Sequence, residues 1–265
     1  MTGSPLVQLY CKKLAPSNLD GFLHAEPDHV GWKVNLAKAS HDDLSRAAEA
    51  GAAMTRRLSS LGIISVFLLH PSTDAARMMA LLDALRPDIF MASAERDVGT
   101  LMAVKASGLV GGVMVPVGIP VARNSLTTYD PVEEARRYAA VADWFTTDTI
   151  TEADTPDRFG CSGRTSDWPA LRAVVDAVSK PVVAAGGFTP GNVADLWRTC
   201  RPAGFDAHTS VCTDGLPDRA KSCAFATAVR ALSRASQFRC PISSRCKAGA
   251  AQTHDAPSLP ALERR

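Results

Sequence analysis

Short apolar runs alternate with amphipathic stretches along most of this chain, and this alternation limits the fold more than any other feature of the sequence. The runs that we predict as buried strands are 7–11, 29–34, 63–69, 88–91, 109–115, 144–148, 181–185 and 205–209. The segments that we predict as helices are 18–23, 42–61, 73–85, 97–107, 131–142, 167–178, 190–200 and 218–234. Eight strand–helix units in 265 residues predict an α/β fold, a single (β/α)8 TIM barrel. A doubly wound open sheet is the alternative, but it would contain fewer such units.

Two regions carry no predicted helix or strand of any length. The stretch 116–130 contains several Pro, Gly and Asn residues and is predicted to be a long connection. After residue 236 the chain mixes Ser, Pro, Lys, Arg and Ala without an apolar period. We therefore predict a barrel domain over 1–236 and a disordered tail over 237–265.

Composition argues against several classes of function. The 29 Lys and Arg residues nearly balance the 27 Asp and Glu residues, and no basic stripe indicates a nucleic-acid partner. The longest apolar run, 63–69, is too short to span a bilayer, and residues 1–5 do not resemble a signal peptide, so we expect a cytoplasmic protein. The seven cysteines are scattered, which favours reduced thiols. The tail residues Cys240, Cys246 and His254 match no standard zinc spacing, so no metal site is predicted.

Two glycine turns enclose one predicted helix and the strand after it. The first turn is 160–163, Gly-Cys-Ser-Gly, and the second contains Gly186 and Gly187. Glycine permits positive φ and lets backbone N–H groups approach an anion closely. Ser166 and Asp167 can cap the helix that begins just beyond the first turn. At the strand ends of an α/β chain, this arrangement is typical of a phosphate site.

The sequence of these turns resembles a known enzyme family. Residues 160–168 read Gly-Cys-Ser-Gly-Arg-Thr-Ser-Asp-Trp, and residues 180–193 read Lys-Pro-Val-Val-Ala-Ala-Gly-Gly-Phe-Thr-Pro-Gly-Asn-Val. They are similar to the Gly-Gly-Thr/Ser-Gly-Lys/Arg-Thr-Phe-Asp-Trp and Lys-Pro-(apolar)-Ala-Gly-Gly-Leu-Thr-Pro-Glu-Asn-Val segments of the phosphoribosylanthranilate isomerase family. The resemblance covers roughly residues 6–233 and is strongest in the last third. It implies a (β/α)8 barrel independently of the strand count.

The resemblance also implies a reaction and its catalytic residues. The family converts an aminoaldose phosphate to an aminoketose by an Amadori rearrangement, without cofactor or metal. Cys11 matches the cysteine of its Lys-Ile-Cys-Gly motif, which acts as general base, and Asp148 matches an aspartate that acts as general acid. Tyr10 and Lys12 depart from this motif, because the family has an aliphatic residue before the cysteine and a glycine after it.

The family binds the substrate phosphate with backbone N–H groups from the loops after the last three strands. Here Cys161 replaces a glycine in the first of these loops, and the third reads His-Thr-Ser-Val-Cys in place of Ser-Ser-Gly-Val-Glu. The phosphate-binding residues implied by the resemblance are Gly160, Ser162, Gly163, Gly186, Gly187, Thr209 and Ser210.

The end of the site that binds the anthranilate differs most from the family. A Ser-Pro-Arg motif, whose arginine meets the aromatic carboxylate, is replaced here by Lys38-Ala-Ser. The candidates for a substitute cation are Lys33, Lys38 and Arg123. His208 adds a possible cation in the third phosphate loop, and these four residues are the predicted substrate contacts beyond the phosphate loops.

We expect an Amadori-type aldose–ketose isomerase that acts on a phosphorylated aminosugar, in a pathway resembling tryptophan biosynthesis. Two alternatives remain open: a lyase-type reaction on a phosphosugar, and a phosphosugar-binding protein without turnover. The expected partner is a small phosphosugar, with no nucleic acid, membrane or cofactor. Both a monomer and a homodimer are compatible with the sequence.

Overall fold

The predicted (β/α)8 barrel is confirmed. The structure is a computed structural model that describes residues 5–34, 41–69, 75–92, 97–121, 129–151, 154 and 159–232. Eight parallel strands in these ranges close into a barrel in sequence order, and β1 pairs with β8. The strands are Leu6–Cys11 (β1), His29–Val34 (β2), Ile64–Leu69 (β3), Ile89–Met91 (β4), Gly112–Pro120 (β5), Trp144–Ile150 (β6), Val182–Ala184 (β7) and Gly204–Ala207 (β8).

A helix follows each strand. The helices are Asp20–Leu23 (α1), His41–Ser60 (α2), Ala75–Leu85 (α3), Val98–Ala106 (α4), Pro131–Tyr138 (α5), Trp168–Ala177 (α6), Val193–Cys200 (α7) and Arg219–Arg230 (α8). Four of them begin after an aspartate whose carboxylate accepts an N–H of the first turn: Asp97, Asp130, Asp167 and Asp218. The predicted cap of α6 by Asp167 is therefore confirmed. No helix in the described ranges has the length and apolar character needed to cross a bilayer.

Side chains alternate along each strand between two separate cores. One core fills the inside of the barrel and contains Leu6, Ile64, Val66, Ile89, Met91, Met114, Trp144 and Val183. The other lies between strands and helices and contains the intervening strand residues, among them Val7, Leu9, Phe67, Phe145 and Phe205. This period of two decides which side chains at the strand ends can face the mouth of the barrel.

β5 is longer than the sequence predicts, and the prediction of a connection from residue 116 is wrong. The strand continues through Pro116, Gly118 and Pro120, paired with β6 up to Ile150. The N–H groups of the even-numbered residues of β5 point away from β6. The Gly118 N–H, for example, donates to the Tyr129 hydroxyl (3.1 Å). The N–H that each proline lacks would therefore point to the side of β5 where β4 has already ended. The prolines remove no hydrogen bond between β5 and β6.

The chain after β8 contains elements that the sequence did not predict. The strand ends at Ala207 rather than Thr209, because His208 leaves the extended conformation (φ −121°, ψ −67°). A 3-10 helix, Thr209–Val211, and a small hairpin, Cys212–Thr213 (β9) with Leu216–Pro217 (β10), connect it to α8. The predicted tail, 237–265, lies outside the described residues.

Candidate active site

Two adjoining cavities open at the carboxyl ends of the strands. The wider one has a volume of about 330 Å³ and lies over the barrel interior. The narrower one has a volume of about 230 Å³ and lies between the loops after β6, β7 and β8. Both cavities are lined by Asp148, Cys161, Ala185, Asp206 and His208. One elongated ligand can therefore occupy both cavities and pass these five residues.

The narrower cavity brings together most of the residues predicted to bind phosphate. Its lining contains Gly163 from the first loop, Gly186 and Gly187 from the second, and Thr209 and Ser210 from the third. The three glycines have φ values of +71°, +118° and +69°, which side chains rarely permit. A Cβ on Gly187 would lie 2.7 Å from the carbonyl carbon of Arg164, so the first two loops are in direct backbone contact.

The other two predicted phosphate residues lie elsewhere. Gly160 (φ +98°) lines the wider cavity, and a Cβ there would lie 2.3 Å from Oδ2 of Asp148. Ser162 is exposed, is not among the lining residues of either cavity, and its Oγ accepts the Arg164 N–H (3.2 Å). Cys161 adopts the left-handed conformation (φ +58°) that its place in a glycine turn requires.

Asp148, at the end of β6, is held in place by backbone donors. Its Oδ1 accepts the N–H of Thr149 (2.7 Å) and its Oδ2 accepts the N–H of Cys161 (3.1 Å). Burial raises the pKa of this carboxyl to about 6, although both hydrogen bonds and the Lys12 ammonium lower it. A carboxyl with this pKa can be protonated or ionised near neutral pH, as general acid–base catalysis requires.

A second carboxylate, which sequence reasoning did not select, faces Asp148 from β8. Asp206 also lines both cavities, and its Oδ1 accepts a hydrogen bond from Gln8 Nε2 (3.0 Å). Burial raises the pKa of Asp206 to about 7; the Gln8 hydrogen bond lowers it and Asp148 raises it further. The signal that could have found it is the period of two, which places Gly204 and Asp206 on one face of β8.

Cys11 does not face the mouth. Its side chain is fully buried in the core between strands and helices, and its Sγ donates to the Gly215 carbonyl (3.2 Å). A hydrogen bond with the Cys212 thiol lowers the pKa of Cys11 to about 7, with burial opposing and Lys13 assisting. Neither cavity is lined by Cys11, whereas its neighbours Tyr10 and Lys12 line the wider one. The structure thus does not bring Cys11 and Asp148 together, and its assignment as the base stays a prediction that this orientation does not support.

The alternation of side chains along β1 also shows how the family's motif aligns with this strand. If the Lys-Ile-Cys-Gly motif is placed so that its cysteine faces the mouth, it matches Gln8-Leu9-Tyr10-Cys11. Tyr10 then takes the position of the cysteine and Cys11 that of the glycine. The Tyr10 ring contacts the His208 ring edge to face, with 5.3 Å between centroids. Burial raises the pKa of the Tyr10 phenol far above its ordinary value, so the hydroxyl remains protonated.

Of the four predicted substrate contacts, the structure places Lys33 and His208 in the mouth. Lys33, near the end of β2, lines the wider cavity together with Lys12. Burial, then Lys12 and Lys33, lower the pKa of His208 to about 4, so this imidazole is neutral near pH 7. Lys38 and Arg123 lie outside the described residues. Within the described ranges, no three His, Cys, Asp or Glu side chains form a group that could hold a metal ion.

Comparisons with known proteins show which family this chain is similar to. Residues 115–228 match the family model of N-(5′-phosphoribosyl)anthranilate (PRA) isomerase. The N-(5′-phosphoribosyl)anthranilate isomerase of Rhodopseudomonas palustris strain BisB18 is 30% identical over 229 residues, 86% of this chain and 97% of that protein. The corresponding protein of Nitrobacter hamburgensis is 28% identical over 207 residues, 78% of this chain and 84% of that protein.

Solved structures agree on the fold. A phosphoribosylanthranilate isomerase from Thermus thermophilus has 18% identity and a TM-score of 0.62, covering 85% of this chain and 98% of that chain. Because the sequence match to the Rhodopseudomonas protein extends over nearly its whole length, the chain belongs to the N-(5′-phosphoribosyl)anthranilate isomerase family.

Proposed function

We propose that this protein catalyses an Amadori-type isomerisation of an N-(5-phosphoribosyl) arylamine. The observation that carries the proposal is the position of Asp148, which lies where the glycine-loop cavity meets the wider cavity. A sugar whose phosphate occupies the narrower cavity has its C1 end beside this carboxyl. Ring opening requires a proton donor at that end of the sugar.

The glycine loops support the phosphate part of this assignment. Backbone N–H groups at positive-φ glycines are typical anion donors, and Gly163, Gly186 and Gly187 lie on one cavity. The Ser210 hydroxyl oxygen and the Nδ1 of His208 are buried without a hydrogen-bond partner in the described part of the chain. Both side chains line this cavity, so a bound phosphate can supply the missing partners.

Asp148 in its protonated form opens the sugar ring. Its proton moves to the ring oxygen while the C1–O bond breaks, and the lone pair of the amine nitrogen forms the C1=N bond of an iminium ion. A raised pKa keeps part of Asp148 protonated at neutral pH, which this step needs. The next step removes the proton at C2 and leaves an enaminol, which becomes the aminoketose.

The wider cavity accommodates the amine half. Its wall combines the apolar side chains of Leu68, Met91 and Phe159 with the ammonium groups of Lys12 and Lys33. A solved phosphoribosylanthranilate isomerase of the same fold is in complex with reduced 1-(o-carboxyphenylamino)-1-deoxyribulose 5-phosphate, an aromatic amine with a carboxylate. Lys33 is our candidate for the carboxylate of such a substrate here, as a point charge in place of a bidentate arginine.

The test is product analysis with purified protein. Phosphoribosylanthranilate and its analogue without the carboxylate, phosphoribosylaniline, are incubated with the enzyme and separated by liquid chromatography with mass detection. Formation of the ketose isomer, at unchanged mass, is expected. Release of free amine or a carbon–carbon cleavage product would favour a lyase, and phosphosugar binding without any product would contradict the proposal.

A further inference from the structure

Asp148 and Asp206 form a pair of carboxylates across one strand. β6 and β8 are the two neighbours of β7, and Ala185, the residue after β7, also lines both cavities. Alanine has no polar atom in its side chain, so this side chain provides no donor to either carboxylate. Among the described residues, Asp148 and Asp206 are the carboxylates that line both cavities.

A buried polar chain inside the barrel fixes the direction of Asp206. Gln8 Nε2 donates to Oδ1, and Gln8 Oε1 lies 3.1 Å from Nδ1 of His29. Burial lowers the pKa of His29 to about 3, so its ring is neutral and Nδ1–H is the donor to the amide oxygen. Both Gln8 and His29 are about 1% exposed. Oδ2 of Asp206 has no hydrogen-bond partner in the described part of the chain, which leaves it available to a ligand in the cavities.

Other groups in the mouth are less suited to accept a proton. Burial raises the pKa of Tyr10, and burial and Asp148 raise the pKa of Cys161 to about 11, so both are protonated at neutral pH. His208 is neutral but weakly basic. Cys11 lies on the opposite face of β1.

We propose that Asp206 is the general base that removes the proton from C2 of the sugar, and that Asp148 and Asp206 together carry the isomerisation. This inference rests on the proposed function. After Asp148 has given its proton to the ring oxygen, the Asp206 carboxylate takes the C2 proton. The C–H electrons form the C1=C2 bond of the enaminol, and the C=N electrons return to nitrogen. The enaminol O–H proton then goes back to Asp148 as C2=O forms, and Asp206 delivers its proton to C1. Both carboxyls end in their starting states.

Gln8 is a positioning residue for this base. It is neutral, so it orients Asp206 without holding it permanently ionised. A lysine at this position, as in the family's Lys-Ile-Cys-Gly motif, would place an ammonium beside the carboxylate and lower its pKa. The charged and titratable groups that line a cavity together with Asp206 are Tyr10 from β1, Lys12 just after β1, Lys33 from β2, Asp148 from β6, Asp154 and Cys161 after β6, and His208 just after β8.

The pH profile follows from these assignments. The base must be ionised and the acid protonated, but the pKa of Asp206, about 7, lies above that of Asp148, about 6. The reactive form, with Asp206 ionised and Asp148 protonated, is therefore the minor one of the two singly protonated states. kcat/KM follows a bell whose acid limb lies near the pKa of Asp148 and whose alkaline limb lies near the pKa of Asp206, and both limbs belong to the coupled pair.

The test compares Asp206→Asn, Cys11→Ala and Gln8→Lys with the wild type, using phosphoribosylanthranilate as substrate. Asp206→Asn is expected to lower kcat by roughly 10²-fold or more while inorganic phosphate still binds. Cys11→Ala should retain kcat within about threefold. Gln8→Lys should move the alkaline limb of the bell to lower pH and raise its maximum, because the ammonium favours the carboxylate of Asp206.

The outcomes separate the two proposals. If the wild type forms product and Asp206→Asn is nearly as fast, or if Cys11→Ala is the inactive variant, Asp206 is not the base and the proposed function stands. If the wild type converts neither substrate, both proposals are overturned. Thermal unfolding of each variant checks folding. Should Gln8→Lys not fold, Gln8→Met replaces it. Loss of the amide donor should move the alkaline limb to higher pH and lower the maximum, and an unmoved alkaline limb would contradict the assignment.

Discussion

The two ends of the site are built differently. The phosphate end consists largely of backbone groups at the glycines of two loops, with Thr209 and Ser210 from a third, whereas the proton-transfer end consists of side chains on strand faces. At the first end, the glycines that must have positive φ are visible in the sequence as Gly-x-x-Gly and Gly-Gly. At the second end, a shift of one residue in the register of β1 decides whether Cys11 or Tyr10 faces the mouth. The structure places Tyr10 there, so the predicted base is not in the site. A backbone site can therefore be read from spacing, but a side-chain site also requires the strand register.

The largest effect should come from the proton-transfer end. We expect Asp148→Asn to lower kcat by about 10²- to 10⁴-fold, the usual range for a general acid, while inorganic phosphate still binds. Asp143→Asn is the matched control, because Asp143 lies just before the other end of β6 and its carboxylate also accepts a backbone N–H. Steady-state kinetics and calorimetry check both variants. Equal loss in the two variants would indicate a general effect on folding.

The next effect tests the phosphate end. Gly187 and Gly108 both have φ +69°, but only a Cβ at Gly187 would meet backbone atoms, at 2.7 Å. Alanine at either position costs the same backbone strain, and at Gly187 it also separates the phosphate loops. We expect Gly187→Ala to weaken phosphate binding by roughly 5- to 150-fold, from an overpacking cost of about 1–3 kcal/mol.

Gly108→Ala should leave the affinity unchanged, since nothing lies within 4 Å of the added Cβ. Calorimetric titration with inorganic phosphate measures both variants. A similar loss in each would mean that backbone strain, rather than the loop contact, controls the site.

A smaller effect should separate the amine half from the rest of the substrate. We expect Lys33→Met to lower kcat/KM for phosphoribosylanthranilate by roughly 10-fold, the value of one charge-assisted hydrogen bond. The same variant should not affect phosphoribosylaniline, which has no carboxylate to bind. Because a lysine replaces a bidentate arginine, the wild-type kcat/KM for phosphoribosylanthranilate should remain below about 10⁶ M⁻¹s⁻¹. An equal effect of Lys33→Met on both substrates would mean that Lys33 contacts the sugar or phosphate.

The smallest effect on turnover is expected at Cys11. Its thiol lies in the outer core and donates to Gly215, so Cys11→Ala should change stability more than kcat. We expect a loss of about 1 kcal/mol in the free energy of unfolding. Urea denaturation and steady-state kinetics measure the two quantities. A Cys11→Ala variant with wild-type stability and no activity would support the thiolate mechanism. It would contradict the conclusion that Cys11 lies on the face of β1 away from the site.

Local signals predicted much of the fold. β2 has the predicted bounds, His29–Val34, and α6 begins at its aspartate cap because apolar period and capping chemistry are local properties. Local signals failed at β5, where prolines normally end a strand but here face the side without a partner. They also failed at Asp206, which is oriented by a hydrogen bond from Gln8, 198 residues away in the sequence. Contacts of that kind exist only after the barrel has closed.

The prolines of β5 have a consequence for assembly. If β4 continued along β5 beyond Met114, it would receive no backbone hydrogen bond from Pro116 or Pro120, because proline has no N–H. The same face of β5 is therefore a poor template for any other strand, including one from a second chain. Beyond Met114, the N–H groups of β5 that point to β6 are all present, so this part of the strand can pair regularly with β6 alone.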